Sequence, residues 1–316
     1  MGLSAQPAQH VIKKVADAYT TVKAHVKAKL RTTVAKPIGF RPDAAQPFDD
    51  RCLSWQVEAR TVSIWTTGGR MRGVAFGCSV EQAATLAACR KGESDLVHRD
   101  GMWLLIATCE VADIGVSEPA GFLGVDLGIA NIATTGDGER HSGKRLNAVR
   151  YRNRELRRRL QAKGTKSARR LLKARRRKES RFARDVDHVI SKSIVTEAAR
   201  TGRGIALEEL SGIRERVRLR KPQRVTLHSW SFHQLGRFIA YKAARAGVAV
   251  IHVDPAYTSQ ACSSCGHVDK RNRPGQETFL CTSCGFAEHA DVNAARNIAS
   301  RGVACWAVSH AADDAA

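Results

Sequence analysis

Four cysteines stand in the pattern C-x2-C, fifteen residues, C-x2-C: Cys262, Cys265, Cys281 and Cys284. Paired thiolates at this spacing suit a tetrahedral, soft-ligand ion. Four of them leave no open coordination position, so the spacing predicts a structural rather than a catalytic zinc site. Binding of this type contributes on the order of 10 kcal/mol or more to folding, enough to hold a loop with little core of its own. Directly after the clip, "HADVNAARNIA" reads as a helix with Asp291 at its start and Ala295 and Ile298 on the same face one and two turns on.

Two further acids stand in short apolar strands. In "FLGVDLG", Leu123, Val125 and Leu127 share one face, and Asp126 shares the other with Gly124. In "GIALEEL", Ile205 and Leu207 face one way, Ala206 and Glu208 the other. A tiny residue beside each acid leaves room for ions or water, and three carboxylates gathered in one cleft are expensive to bury without cations. Mg2+, with Mn2+ as a substitute, takes oxygen ligands of this kind, and a pair of ions can stabilise both the attacking and the leaving oxygen of a phosphodiester. Asp126, Glu208 and Asp291 are therefore the candidate catalytic, magnesium-binding residues. The zinc clip is expected to brace the helix that carries the third.

The elements that must position these residues fall into two groups. Residues 8 to 30 repeat apolar side chains at helical spacing (Val11, Val15, Tyr19, Val22, Val26), and Pro37 to Asp50 reads as loop. "LSWQVEARTVSIWTTGGRMRGVAFG" and "SDLVHRDGMWLLIATCEV" read as hairpins turning at Gly68-Gly69 and Asp100-Gly101, which predicts a small β-barrel or sheet. From Gly121 onward strands alternate with helices, the pattern of an α/β sheet. "GFLGVDLG" and "IANIATT" are predicted neighbours. A basic helical hairpin broken near Gly164 follows, its second arm running through Phe182, Val186, Val189, Ile190 and Ile194. Next come the strand "GIALEEL", a helix with Phe232, Leu235, Ile239 and Ala243 on one face, and the strand "VAVIHVDP".

The chain has 316 residues and a net charge of +22. Between Arg150 and Arg184, 17 Lys or Arg stand against 2 Glu. Such a stripe repels itself unless a polyanion neutralises it, which points to nucleic acid. Arg157, Arg158, Arg159, Arg169, Arg170, Arg175, Arg176 and Arg177 are the contact candidates. In the zinc loop, Lys270, Arg271 and Arg273 either touch a phosphate backbone or line a solvated loop. No apolar run is long enough for a membrane span, and the N-terminus lacks the apolar core of a signal peptide, so a cytoplasmic protein is expected. The other cysteines (Cys52, Cys78, Cys89, Cys109, Cys305) read as small buried apolar residues without a role.

"GVDLGIANIATT", "IALEELSGIR", "WSFHQLGRFIAYKAARAG", "VDPAYTSQACSSCG" and "HADVNAARNIA" occur in an order that resembles the TnpB family, transposon-encoded RNA-guided DNA nucleases related to type V CRISPR effectors. The resemblance is dense from about Gly121 to Ser300. It implies a RuvC-type, RNase H-like domain (119–303) with Asp126, Glu208 and Asp291 as its metal triad, Glu208 being preferred to Glu209 because the acid directly follows the apolar strand. It also implies a zinc ribbon insert at 258–288 that binds target nucleic acid, a wedge-like β-barrel at 37–118, a helical recognition-lobe remnant at 1–36 and a tail at 304–316. Guide RNA and target DNA are the implied partners, and the oligomeric state is left open. Two departures are visible: Ala290 stands where a basic residue is common, and the chain reads as shortened at its N-terminus, which would leave a barrel edge unpaired. The alternatives are a non-cleaving, RNA-guided or plain DNA-binding accessory protein of a transposon, a strand-transferring transposase, or a decayed truncated copy. A nuclease-dead relative should have lost one of the three acids, and none is missing.

Overall fold

The computed structural model describes residues 5–30, 37–41, 43–99, 101–112, 114–175, 177–210 and 232–311. The expectations at Asp100 and Arg176 fall outside them. The chain divides into two compact units, Met1–Ala112 and Asp113–Ala316. Among the described residues no helix is long and apolar enough to cross a membrane.

The first unit opens with helix α1 (Ala5–Lys27), which buries Val22 and half-buries Val15, Tyr19 and Val26 but leaves Val11 outside. Strands β1 (Gln46–Phe48), β5 (Arg90–Arg99) and β6 (Met102–Cys109) form one antiparallel sheet in the order β1-β5-β6. Strands β2 (Leu53–Gln56), β3 (Thr61–Thr66) and β4 (Gly69–Ala75) form another. Where a small barrel or sheet was expected stand two three-stranded sheets with no ladder between them among the described residues. They share a core of Phe48, Cys52, Leu53, Val62 and Ile64.

Three local readings change. β1 lies in the stretch expected to be loop; Pro47 is tolerated there because β1 is an edge strand and need not donate on both sides. The first hairpin turns one residue early, at Thr67-Gly68, where the Thr66 hydroxyl accepts from the Gly68 N–H and donates to the Gly69 carbonyl. Helix α2 (Val80–Cys89) was not anticipated, although Ser79 and Gln82 form a reciprocal capping box.

The second unit is a five-stranded sheet: β7 (Phe122–Asp126), β8 (Asn131–Thr135), β9 (Arg140–Ser142), β10 (Gly204–Glu208) and β11 (Val250–Val253), in the order β11-β10-β7-β8-β9. β7, β8 and β9 run antiparallel, whereas β10 is parallel to both β7 and β11. The expected pairing of "GFLGVDLG" with "IANIATT" is thus found. Period-two alternation decides what each face meets. Leu123, Val125, Leu127, Ile205 and Leu207 face a helical layer of α5 (Lys178–Arg200) and α6 (Phe232–Arg245), against Ile190, Ile194, Leu235, Ile239 and Ala243. Phe122, Ala206, Ala249 and Val253 face Ile298 of α7 (Ala290–Ala311) on the other side.

The basic stretch folds as three helices rather than two: α3 (Lys144–Lys163), α4 (Lys166–Arg175) and α5. Gly164 ends α3 in the left-handed conformation at φ 63°, as its position in the sequence suggested. Val189 turns outward while its neighbour Ile190 is buried.

Candidate active site

The alternation that buries Val125 and Leu207 puts Asp126 and Glu208 on the opposite face, the one covered by α7. The parallel ladder pairs Val125 with Leu207, one residue before each acid, so both carboxylates stand at the C-terminal ends of adjacent parallel strands. The crevice beyond such strand ends is where open α/β sheets carry their ligands. Asp291, in the first turn of α7, is buried at the same end, since Ala295 and Ile298 of its face are fully buried against the sheet.

The small residues beside the acids serve a different purpose from the one expected. A Cβ at Gly124 would lie 1.9 Å from the Ala295 carbonyl oxygen, and one at Gly302 would lie 2.7 Å from the Ala206 Cβ. The space beside Gly124 and Ala206 is filled by α7 itself. Helix backbone packs onto strand backbone there, and this close approach carries Asp291 to the strand ends.

Each carboxylate has a distinct environment. Asp126 accepts no hydrogen bond among the described residues. Burial, then the charges of Glu208 and Asp291, push its carboxyl up to about 8 against the pull of Arg273. Glu208 is also raised, chiefly by burial, although it accepts a 2.5 Å hydrogen bond from the Thr258 hydroxyl and feels Arg301. Asp291 accepts from Asn131 Nδ2 on Oδ2 at 3.0 Å and from Arg273 Nη2 on Oδ1 at 3.1 Å. Its N–H donates to His289 Nδ1 at 3.2 Å, which anchors the helix start. Across the ladder from Asp126, the Thr134 hydroxyl is buried and has no hydrogen-bond partner among the described residues.

A half-buried carboxyl that holds its proton to about 8 and has neither hydrogen bond nor counter-ion of its own is the donor chemistry of a hard divalent cation. The three acids are more widely spread than a single tight cage: among the described residues, only the four cysteines bring three or more ligand atoms within 4.8 Å of one another.

Those cysteines lie where the spacing predicted. Cys262 and Cys284 Sγ are 3.8 Å apart, and Cys265 and Cys281 Sγ are 3.6 Å apart, close to the edge of about 3.8 Å that a tetrahedron with Zn–S bonds near 2.3 Å requires. The two knuckles are built alike. The Cys262 N–H donates to the His267 carbonyl and the Cys281 N–H to the Phe286 carbonyl. Gly266 and Gly285 take the positive φ that each turn needs. The N–H groups of Cys284 and Ser283 point at Cys281 Sγ and pull that thiol down to about 6. Asn272, fully buried, spans the knuckles: Nδ2 donates to the Gln260 and His267 carbonyls, and Oδ1 accepts from the N–H and hydroxyl of Thr282.

The clip braces the acid-bearing helix, as expected, and the contacts are specific. Ala290, the first residue of α7, packs with Cys262, Phe279 and Cys281. Asn293 on α7 accepts from the Ser263 N–H and donates to the Ala261 carbonyl, and Asn297, one turn on, donates to the carbonyls of Thr258 and Ala261. Thr258 in turn holds Glu208. The segment entering the first knuckle therefore ties two of the three acids together.

Thr258, Asn131, Asn293 and Asn297 were not among the site residues expected from sequence, and Arg273, expected to touch a phosphate or line a solvated loop, instead pairs with Asp291. The i, i+4 asparagines of "HADVNAARN" were a usable signal for a polar helix face; nothing local marks Asn131 or the pairing of Arg273. Of the nucleic-acid candidates, Arg169, Arg170, Arg175 and Arg177 are exposed. Arg157 is tied to Glu179, Arg158 and Arg159 to Glu155, and Arg271 to Asp269; Lys270 is exposed. Of the remaining cysteines, Cys52 is buried but Cys305 is exposed, against the expectation for it.

Residues 108–211 match the family model described as "Probable transposase", and residues 232–298 match the one described as "Cas12f1-like, TNB domain". The chain is similar to a CRISPR-associated endodeoxyribonuclease Cas12f1 from Sulfoacidibacillus thermotolerans, 44% identical over 125 residues that cover 39% of this chain and 28% of the relative. A TnpB-like protein from Methanocaldococcus jannaschii is 37% identical over 122 residues, covering 38% of this chain and 43% of that one. A CRISPR-associated endodeoxyribonuclease Cas12f2 from a Micrarchaeota archaeon is 31% identical over 202 residues, covering 58% and 37%. The matches thus span less than half the length of each of these relatives.

Proposed function

Because this chain belongs to the family of TnpB-like and Cas12f proteins, we propose that it is an RNA-guided DNA endonuclease whose RuvC-type site uses Asp126, Glu208 and Asp291. The observation that carries the reading is the gathering of half-buried Asp126 with Glu208 and Asp291 at the C-terminal edge of a sheet ordered β11-β10-β7-β8-β9. Three antiparallel strands followed by two parallel ones is the topology expected of an RNase H-like domain.

Asp126, whose charge is opposed by both Glu208 and Asp291, would hold divalent metal together with them. Bound Mg2+ or Mn2+ would supply Lewis acidity to the phosphodiester and to the attacking water. The chain's own residues do the rest. Thr258 orients Glu208, Asn131 and Arg273 orient Asp291, and Arg273 and Arg301 place positive charge where a phosphate must approach. The four thiolates would hold zinc in a structural role. Exposed arginines of α4 and α5 would grip RNA or a guide–target duplex through its backbone while base pairing reads sequence.

The test is to sequence the RNA that co-purifies with the protein expressed beside its flanking element, then to assay DNA cleavage with that RNA. Cleavage by the native chain and none by Asp126→Ala, with RNA retained by both, is expected. RNA retention without cleavage by either would favour the non-cleaving accessory reading. Random cellular RNA released by moderate salt would remove the guided reading altogether.

A further inference from the structure

Tyr257 sits in the left-handed region of backbone space, at φ 61°, and its side chain is 61% exposed. A bulky aromatic is an outlier there, because its Cβ crowds the backbone. A ring exposed to this degree recovers little of that cost through burial. Two other described residues besides glycine have positive φ, and both have local reasons. Lys29 follows the end of α1, and Arg60 closes the turn between β2 and β3; neither adjoins an acid of the site.

Tyr257 is held from both sides. Its carbonyl accepts the N–H groups of Gln260 and Ala261, each at 2.9 Å. The Ala261 carbonyl is gripped by Asn293 and Asn297 of α7. The next residue, Thr258, gives its hydroxyl to Glu208. Arg301 donates to the carbonyl of Asp254, three residues before Tyr257. The turn is therefore determined by the acid site and by the entry to the first zinc knuckle, and what it turns outward is an aromatic ring. Any residue could supply the carbonyl; glycine would do so without strain. Strain retained at a residue whose ring is turned mostly to solvent points to use of that side chain.

A ring exposed on the residue next to Thr258, which holds Glu208, fits the face of an unpaired nucleobase, which stacks on aromatics with little regard to sequence. We propose that Tyr257 is a positioning residue of the nuclease. Its ring stacks on an unpaired base adjoining the phosphodiester presented to Asp126, Glu208 and Asp291, and so sets where the strand is cut. The proposal rests on the nuclease reading above.

The native chain and its Tyr257→Phe, Tyr257→Leu and Tyr257→Gly variants are titrated with a single-stranded oligodeoxynucleotide carrying 2-aminopurine, in Ca2+ so that binding is read without hydrolysis. The native chain and Tyr257→Phe should quench the 2-aminopurine. Tyr257→Leu should lose the quench and bind at least about fivefold more weakly, the lower end of a stacking contact. Tyr257→Gly should lose it too, with no fall in melting temperature, because glycine accepts the backbone geometry. Quenching by Tyr257→Leu equal to that of the native chain would overturn the proposal and leave the nuclease reading standing. Failure of the native chain to bind the oligonucleotide even when loaded with its guide RNA would overturn both. In cleavage assays with the guide, Tyr257→Leu should shift or broaden the cut position while Tyr257→Phe restores it; an unchanged cut position in Tyr257→Leu would also overturn the proposal.

Discussion

Arg273, in the loop between the two zinc knuckles, donates from Nη2 to Asp291 Oδ1 at 3.1 Å and to the Gln276 carbonyl at 2.9 Å. One guanidinium thus joins the ribbon to the third acid, in a site whose other charges repel one another. Replacing it with alanine leaves a buried carboxylate short of its cation. A loss of about 1–3 kcal/mol is expected, read as a lower urea midpoint with zinc content unchanged. Cleavage should fall at least about tenfold. Arg273→Lys should recover only part of both, because an ammonium lacks the planar fork that serves two acceptors. Full activity in Arg273→Ala would show that the ion pair belongs only to the metal-free protein.

The raised carboxyl of Asp126 makes a pH prediction of definite sign. An acid whose folded pKa lies above its unfolded value favours the fold while protonated, so this contribution is complete below about pH 4 and is lost as pH rises toward about 8. The metal-free protein should therefore become less stable across that range from this group. Asp126→Asn should abolish the loss and melt higher than the native chain at pH 8, by about 3 °C or more, while cutting nothing. Mg2+ competes with the proton, so its stabilising effect on the native chain should grow from pH 6 to pH 8 and vanish in the variant. Equal stabilisation of both by Mg2+ would place the ion elsewhere.

The ribbon should act on the acids through α7 and not only through its own fold. Cys281→Ala should lower bound zinc well below one per chain and impair cleavage. Asn293→Ala should keep its zinc yet lose about 1–2 kcal/mol of stability, because the Ser263 N–H and the Ala261 carbonyl each lose a partner. Metal analysis beside thermal melts separates the two. All four thiols must lose their protons to bind the ion, and Cys265 is pushed up while Cys281 is pulled down, so zinc rebinding should weaken steadily as pH falls from 8 to 6.

The arginines of the basic stretch should divide by partner. Arg169 and Arg170 are exposed, and neutralising both should reduce the slope of log affinity for RNA against log salt by roughly one to two while leaving the melting temperature unchanged. Arg157 is bound to Glu179 across the helices, so Arg157→Ala should also loosen the packing of α3 on α5. Filter binding at several salt concentrations would reveal the difference; an unchanged slope in the double variant would move the RNA contact off this face.

What the chain declares locally is what has a short physical period. Cysteine spacing determines a thiolate tetrahedron because each pair closes around one ion within a four-residue turn. Alternation in "FLGVD" and "GIALE" determines that Asp126 and Glu208 share a face, and Gly164 determines a helix end, because only neighbours are involved. Contacts between residues far apart in sequence are another matter. Asn131 reaches Asp291, and Thr258 reaches Glu208, only because β10 inserts beside β7 and α7 lies flat across both. Gly124 shows the division most directly. Its smallness was legible and read as space for an ion, yet the space belongs to the Ala295 carbonyl of a helix more than 160 residues away. Strand faces follow from the pleat of a single strand; which helix covers a face, and therefore which acids meet, follows from packing that no single segment contains.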